Sequence, residues 1–282
     1  MPDIAFQLNN LCVTLPGSLD SARQIPVLNN ISLNIEVGEQ IAIIGPSGAG
    51  KTTLLEVLAL ARQPATGHMA LFGQNPWHLT DYTRHALRTR LFLAPQQPPL
   101  PPRQRVVTTV LAGLLPQWTL WQSLSSLIYP QKSALAYAAL EPFDMQDKLF
   151  SRVDRLSGGE RQRVSLARML ASNAEAMLVD EPLSALDPTL AASVLAALQQ
   201  AAAHRHATLI CSLHQAELAC RVFPRIIGLR DGQIVFDLPQ AKVTPGLLAA
   251  LYEQERLATR QCNVETDGSS AAALIPRDGT IC

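Results

Sequence analysis

Three observations predict an α/β fold with a mostly parallel core sheet, a small antiparallel β layer at its N-terminal end and an inserted helical subdomain. Short apolar runs, at Ile41–Ile44, Leu91–Ala94, Ala176–Glu181 and Ala207–Ser212, alternate with helical stretches along the chain. The first of them runs directly into Gly45-Pro46-Ser47-Gly48-Ala49-Gly50-Lys51-Thr52-Thr53, which fits the pattern G-x-x-x-x-G-K-[ST] between a strand and a helix. From about residue 105 to 172 the pattern turns helical without a convincing strand, so this stretch reads as an insertion between two strands of one core.

Taken in order, residues 4–15 and 27–37 read as strands separated by the polar turn region Gly17–Ser21, and Val37-Gly38-Glu39 turns the chain into the strand at 41–44. Leu54–Leu60 reads as a helix, and Pro64–Gly67 as a turn before a strand at 68–72. The strand Leu91–Ala94 stops at the proline cluster 95–102, whose composition would also suit a polyproline ligand. Thr108–Leu115, Ser133–Leu140 and Glu160–Ala171 are candidate helices of the insertion. Trp118, Trp121 and Tyr129 fall inside it and are expected to pack its own core, with a partner-binding groove as the alternative. Asp187 suits an N-cap and Pro188 the first position of a long Ala/Leu helix to about 203. Ile226–Phe236 reads as a hairpin turning at Asp231-Gly232, and Thr244-Pro245 opens a short helix carrying Leu247, Leu248 and Leu251. The expected organisation is one domain over residues 1–256, with a helical subdomain inserted at about 97–172, and a poorly ordered polar tail at 257–282.

Composition narrows the function classes. The chain has 282 residues, 48% hydrophobic and 16% charged, with 23 basic against 23 acidic side chains. Without a basic excess or stripe there is no reason to expect nucleic acid as a partner. Cys12, Cys211, Cys220, Cys262 and Cys282 are odd in number and never spaced C-x-x-C, which argues for reduced cytosolic thiols over a disulfide or metal framework. Neither a secretion signal nor an apolar run of membrane-spanning length is present, so any membrane role is expected to be peripheral.

The chemistry is concentrated in two places. In the loop 45–53, three glycines let the backbone N–H groups wrap a polyphosphate, and the following helix end adds roughly half a positive charge. Lys51 is expected to reach the β- and γ-phosphates and the Thr52 hydroxyl to bind Mg²⁺, so a nucleoside triphosphate and Mg²⁺ are the implied ligands. Asp180 and Glu181 end an apolar strand, where charge has no packing purpose. The first suits Mg²⁺, and the second suits orienting and deprotonating an attacking water.

Leu156-Ser157-Gly158-Gly159-Glu160-Arg161-Gln162-Arg163 lies between that loop and the Asp180 strand. Here the chain resembles the ATPase subunits of ATP-binding cassette (ABC) systems, whose signature is Leu-Ser-Gly-Gly-Gln followed by a basic helix. The resemblance, over about residues 4–240, implies a P-loop ATPase fold and assigns further roles. Gln96 matches the glutamine that senses Mg²⁺ and the γ-phosphate, Ser184-Ala185-Leu186-Asp187 the loop that touches the opposite subunit, and His214 the switch histidine at the γ-phosphate. It also implies a homodimer in which Ser157, Gly158, Gly159 and Glu160 of one subunit cover nucleotide held by the other's phosphate loop. Two residues depart from the family pattern. Glu160 stands where the signature usually has Gln, and Leu15 where an aromatic usually stacks on adenine, a contact worth on the order of 0.5–1.5 kcal/mol beyond burial.

Arg105–Tyr129, above all Thr109-Val110-Leu111-Ala112-Gly113, together with Ile226–Gly232 and Leu251-Tyr252-Glu253, look most like the ATPase of phosphonate importers. That resemblance implies two copies on the cytoplasmic face of the inner membrane, beneath a dimeric permease fed by an extracytoplasmic binding protein. The cargo would be a phosphonate, phosphite or a phosphate ester. The alternatives are a soluble cassette serving a phosphonate-degrading enzyme assembly, or an importer for another small polar solute.

Overall fold

A computed structural model describes residues 3–14, 26–119, 121, 132–183 and 186–253. Leu15, Tyr129, Ser184, Ala185 and the segment 254–282 lie outside the described residues. Strands β1 (Ile4–Thr14), β2 (Pro26–Glu36), β3 (Gln40–Ile44), β4 (Thr66–Leu71), β5 (Leu91–Ala94), β6 (Ala176–Asp180), β7 (Thr208–Leu213), β8 (Arg225–Arg230) and β9 (Gln233–Pro239) build two sheets. One is three-stranded in the order β2-β1-β4 and antiparallel; the other is six-stranded in the order β5-β6-β7-β3-β8-β9. Within the larger sheet, pairing is parallel from β5 through β8 and antiparallel only at the β8–β9 hairpin.

The core strands are apolar on both faces, and their period-two alternation divides the interior in two. On β3, Ile41 and Ile43 face a core shared with Phe6, Leu8 and Leu54, whereas Ala42 and Ile44 face a core shared with Val164, Val194 and Leu195. Strand β6 does the same, with Leu178 on the first face and Met177 and Val179 on the second. A fully buried Leu or Ile contributes roughly 1.5–3 kcal/mol, and a one-residue slip would reverse every one of these assignments. Register is therefore tightly set, and with it the position of whatever ends each strand.

Eight α-helices are described: α1 (Lys51–Leu58), α2 (Asp81–Arg88), α3 (Val106–Leu111), α4 (Ser133–Leu140), α5 (Gly158–Ala171), α6 (Pro188–Arg205), α7 (Ala216–Val222) and α8 (Pro245–Leu251). Helix α1 begins three residues before the expected Leu54, because Gly50 takes the left-handed conformation at its N-cap (φ 99°) and the apolar pattern starts only in the second turn. Helix α2 falls in a stretch to which the sequence reading assigns no element; it is polar and announced only by the Thr80 side chain accepting from the Thr83 N–H. In the insertion, helix α3 gives way at Ala112 to a 3-10 helix ending at Gln117.

Gly113 opens the close approach of this segment to α5, since a Cβ there would stand 2.2 Å from the Arg168 carbonyl oxygen. Trp118 packs against the helical core as expected, but Trp121 is 82% exposed. For Trp121 the expectation of a core role is corrected. Only tertiary contacts distinguish two tryptophans three residues apart. The proline cluster is tied into the insertion rather than presented as a ligand: the Pro102 carbonyl accepts from Asp154 N–H and the Gln104 carbonyl from Val153 N–H.

The amino ends of the strands are clamped by Arg225, which donates to both oxygens of Asp237, both of Glu39 and the Asn34 carbonyl. Asp237 first, then Glu39, pushes its guanidinium further above its ordinary value. The carboxyl ends of the strands carry the chemistry.

Candidate active site

The phosphate loop leaves β3 at Ile44 and enters α1 at Lys51. Its shape is held from inside by Lys51, whose Nζ donates to the carbonyls of Gly45 at 2.8 Å and Pro46 at 2.9 Å. It is held from outside by the β8–β9 turn. The Gly232 N–H donates to the Ala49 carbonyl at 3.2 Å, and the Gly232 carbonyl accepts from Asn29 N–H at 2.8 Å. The Asp231-Gly232 turn thus does more than reverse the chain: it buttresses the loop. Lys51 is 5% exposed, so its cation and the positive end of α1 act in a desolvated setting that favours a bound polyanion.

Parallel pairing of β6 with β7 places Asp180 opposite Ser212. The Ser212 hydroxyl donates to Asp180 Oδ1 at 2.5 Å, and the Thr52 hydroxyl, from α1, donates to Asp180 Oδ2 at 2.8 Å. Asp180 is 3% exposed, and these hydroxyls hold its carboxylate at the foot of the phosphate loop. A buried carboxylate beside a threonine hydroxyl is the hard-oxygen donor set that suits Mg²⁺.

Glu181 follows with φ +48°, a left-handed conformation that costs a non-glycine residue about 1–3 kcal/mol and persists only where the surrounding structure fixes it. Surrounding groups hold it there. Its N–H donates to the Ser212 hydroxyl at 3.0 Å, and its carbonyl accepts from Gln162 Nε2 at 2.7 Å. Its carboxylate accepts from Gln96 Nε2 at 2.6 Å, and its other oxygen lies 2.5 Å from His214 Nε2. The fold therefore brings Gln96, Glu181 and His214, distant in sequence, into one cluster beside the Thr52–Asp180 pair.

Ser157, Gly158, Gly159 and Glu160 stand apart from that cluster, at the start of α5. Ser157 and Glu160 form a reciprocal capping box: Ser157 Oγ accepts from Glu160 N–H at 3.2 Å, and Glu160 Oε2 accepts from Ser157 N–H at 2.7 Å. That backbone bond, ahead of the neighbouring Lys148 and Arg163 charges, holds the Glu160 carboxyl below its ordinary 4.5. A depressed carboxylate contributes stability that is present above the unfolded value and lost as pH falls through the folded one. Glu160→Gln is accordingly expected to be less stable than the wild type at neutral pH, the gap closing as pH falls below the ordinary carboxyl range and through the folded Glu160 value, as urea titrations at several pH values would report.

The sequence reading quotes Ser212 and Gln162 within their stretches but gives neither a role. A polar residue next to the end of the apolar strand β7, level with Asp180 on β6, is a signal that could have found Ser212. Nothing in the spacing marks Gln162 among the polar residues of its helix. Removing the Ser212 hydroxyl leaves Asp180, which is 3% exposed, short of a donor. Ser212→Ala is expected to lose about 1–3 kcal/mol of unfolding free energy and to slow ATP turnover; a variant matching the wild type in both would show that Thr52 alone holds Asp180.

The sequence model of the ABC transporter family matches residues 28–184, more than half of the chain. This chain is an ABC ATPase. The phosphonates import ATP-binding protein PhnC 2 of Albidiferax ferrireducens is 58% identical to it over 263 residues, covering 93% of this chain and 94% of the relative. Its counterpart PhnC from a Polaromonas species is 62% identical over 227 residues, 80% of this chain and 82% of that one. Among solved structures, the dimeric bacterial ABC transporter cassette MJ0796 superposes with a TM-score of 0.75 at 26% identity, over 83% of this chain and 98% of the cassette. The same cassette in a post-hydrolysis dimer bound to ADP and Pi superposes with a TM-score of 0.73. The α/β cassette fold with an N-terminal antiparallel layer and a helical subdomain is thus shared with enzymes that bind adenine nucleotide, and ATP is this cassette's ligand.

Proposed function

We propose that this cassette is the ATP-hydrolysing subunit of an importer for phosphonates or related phosphorus compounds such as phosphite or phosphate esters. The observation that carries the reading is its 58% identity, across 93% of its own length, to a relative named as a phosphonates import ATP-binding protein. Residues 1–256 form the working ATPase domain, with the helical subdomain at about 97–172 inserted in it.

Within the site, the backbone of Gly45–Thr53 and the Lys51 ammonium bind the triphosphate. Thr52 and Asp180, joined by Gln96 through its amide oxygen, are the groups that would hold Mg²⁺. When bound, that ion neutralises phosphate charge and draws it toward the leaving group. Glu181 orients a water against the γ-phosphate and takes its proton. His214 and Gln96, already on the Glu181 carboxylate, align it and report the γ-phosphate. Ser157, Gly158, Gly159 and Glu160 begin α5, whose dipole end faces nucleotide held by the second subunit of a homodimer.

No helix among the described residues is long and apolar enough to cross a membrane. The pathway for the cargo is then supplied by permease subunits, with the cassette bound peripherally at the cytoplasmic face of the inner membrane and an extracytoplasmic binding protein delivering solute. The test is to tag the chain, extract it from native membranes with mild detergent and identify what co-purifies. A multi-span permease is expected. Soluble enzymes alone would overturn the transport assignment while leaving the ATPase intact.

A further inference from the structure

All four polar atoms of Glu181 are engaged. Three of the holds come from segments bordering the core sheet: the N–H on Ser212 at the end of β7, and the two carboxylate oxygens on Gln96 beyond β5 and His214 beyond β7. The fourth is different. The Glu181 carbonyl accepts from Gln162, which belongs to α5, the helix that opens with Ser157-Gly158-Gly159-Glu160.

We infer that Gln162 is a positioning residue that makes the alignment of the Glu181 carboxylate depend on where helix α5 sits. Glu181 occupies a left-handed backbone conformation, which a residue with a side chain holds only when its flanking peptides are fixed. Ser212 fixes one peptide and Gln162 the other. With the N–H side pinned, a pull on the Glu181 carbonyl turns the residue about its N–Cα bond, which carries Cβ and the carboxylate with it. Gln162 is 4% exposed, and its amide meets the carbonyl at 2.7 Å, so the side chain has no room to absorb a displacement of its helix. It sits just over one turn from the α5 N-terminus, within the same hydrogen-bonded cylinder as Gly158 and Gly159. A shift at that end therefore reaches Gln162 undiminished.

The consequence rests on the ATPase reading above, in which the α5 N-terminus docks on nucleotide held by the second subunit. Docking there moves α5, α5 moves Gln162, and Gln162 sets the base that serves the nucleotide on its own subunit. Each of the two sites thereby reports its occupancy to the other.

The experiment compares steady-state ATP hydrolysis by the full-length wild type, Gln162→Met, Glu181→Gln and the double variant, with unfolding midpoints measured alongside. Gln162→Met keeps length and packing and removes the N–H. Its kcat is expected to fall about tenfold or more, as misplacing a reacting group by about an ångström does, while KM for ATP stays within about twofold and ATP-dependent dimers persist. In the Glu181→Gln background the same change is expected to slow turnover further by less than about twofold, because the group it aligns is already gone. Equal slowing in both backgrounds would reduce Gln162 to general structural support and overturn the inference, as would a Gln162→Met kcat equal to the wild type. If Gln162→Met does not fold, Gln162→Asn, which keeps the amide but falls short of the carbonyl, carries the same comparison. Failure of the ATPase reading itself would be distinguishable, since the wild type would then show no hydrolysis.

Discussion

Glu181→Gln is expected to bind ATP with undiminished affinity and to hydrolyse it at least tenfold more slowly, since a positioned general base supplies about 10²–10⁴. The amide has the size of the carboxylate, so the left-handed backbone and its bonds to Ser212 and Gln162 are retained. It offers one acceptor oxygen where the carboxylate gives one to Gln96 and one to His214, and it cannot take a proton from water. Nucleotide contacts made by Lys51 and the loop are untouched, so the ATP-bound dimer should accumulate because its exit by hydrolysis is blocked. Phosphate release assays and light scattering in the presence of ATP would report both effects. Unchanged turnover would remove Glu181 from the role of base and shift attention to His214.

Gly45→Ala is expected to cost both stability and nucleotide binding. A Cβ at residue 45 would lie 2.0 Å from the Leu229 carbonyl oxygen and 3.1 Å from its carbon, and both belong to the backbone of β8. Because β3 and β8 are paired neighbours in the core sheet, neither strand moves aside without breaking register. Overpacking of this kind costs about 1–3 kcal/mol or more, and the strain falls on the first carbonyl that Lys51 holds. ATP affinity by calorimetry is expected to drop by more than about tenfold, a loss of roughly 1.4 kcal/mol. Gly48→Ala is the informative control. Its Cβ would meet nothing within 4 Å, and only its φ of +77° resists a side chain. Its effect should be the smaller of the two; equal effects would mean that conformation, and not the approach of β8, dictates glycine at 45.

The two contiguous motifs, 45–53 and 156–163, were legible because neighbours in sequence have their relative geometry set by the local backbone. A glycine loop between a strand and a helix can cradle phosphate wherever the fold places it. The alternation of apolar runs with helices was likewise enough for the sheet, since each buried strand advertises itself by composition. Boundaries were less visible where capping, not apolar pattern, starts the helix, as at Lys51, or where the helix is polar, as at Asp81–Arg88.

The sequence by itself determined the fold class, through the alternation of apolar runs with helices along the chain, and the phosphate loop, the cassette signature and the carboxylate pair, each a stretch of adjacent residues. Tertiary structure alone decided that Ser212 bonds Asp180, that the Gly232 turn braces Ala49, that Gln162 holds the Glu181 carbonyl and that Trp121 faces solvent. Each of these depends on the register of one strand against another or on the rotation of a helix about its axis. Those are properties of the packed interior as a whole, and no local stretch of sequence encodes them.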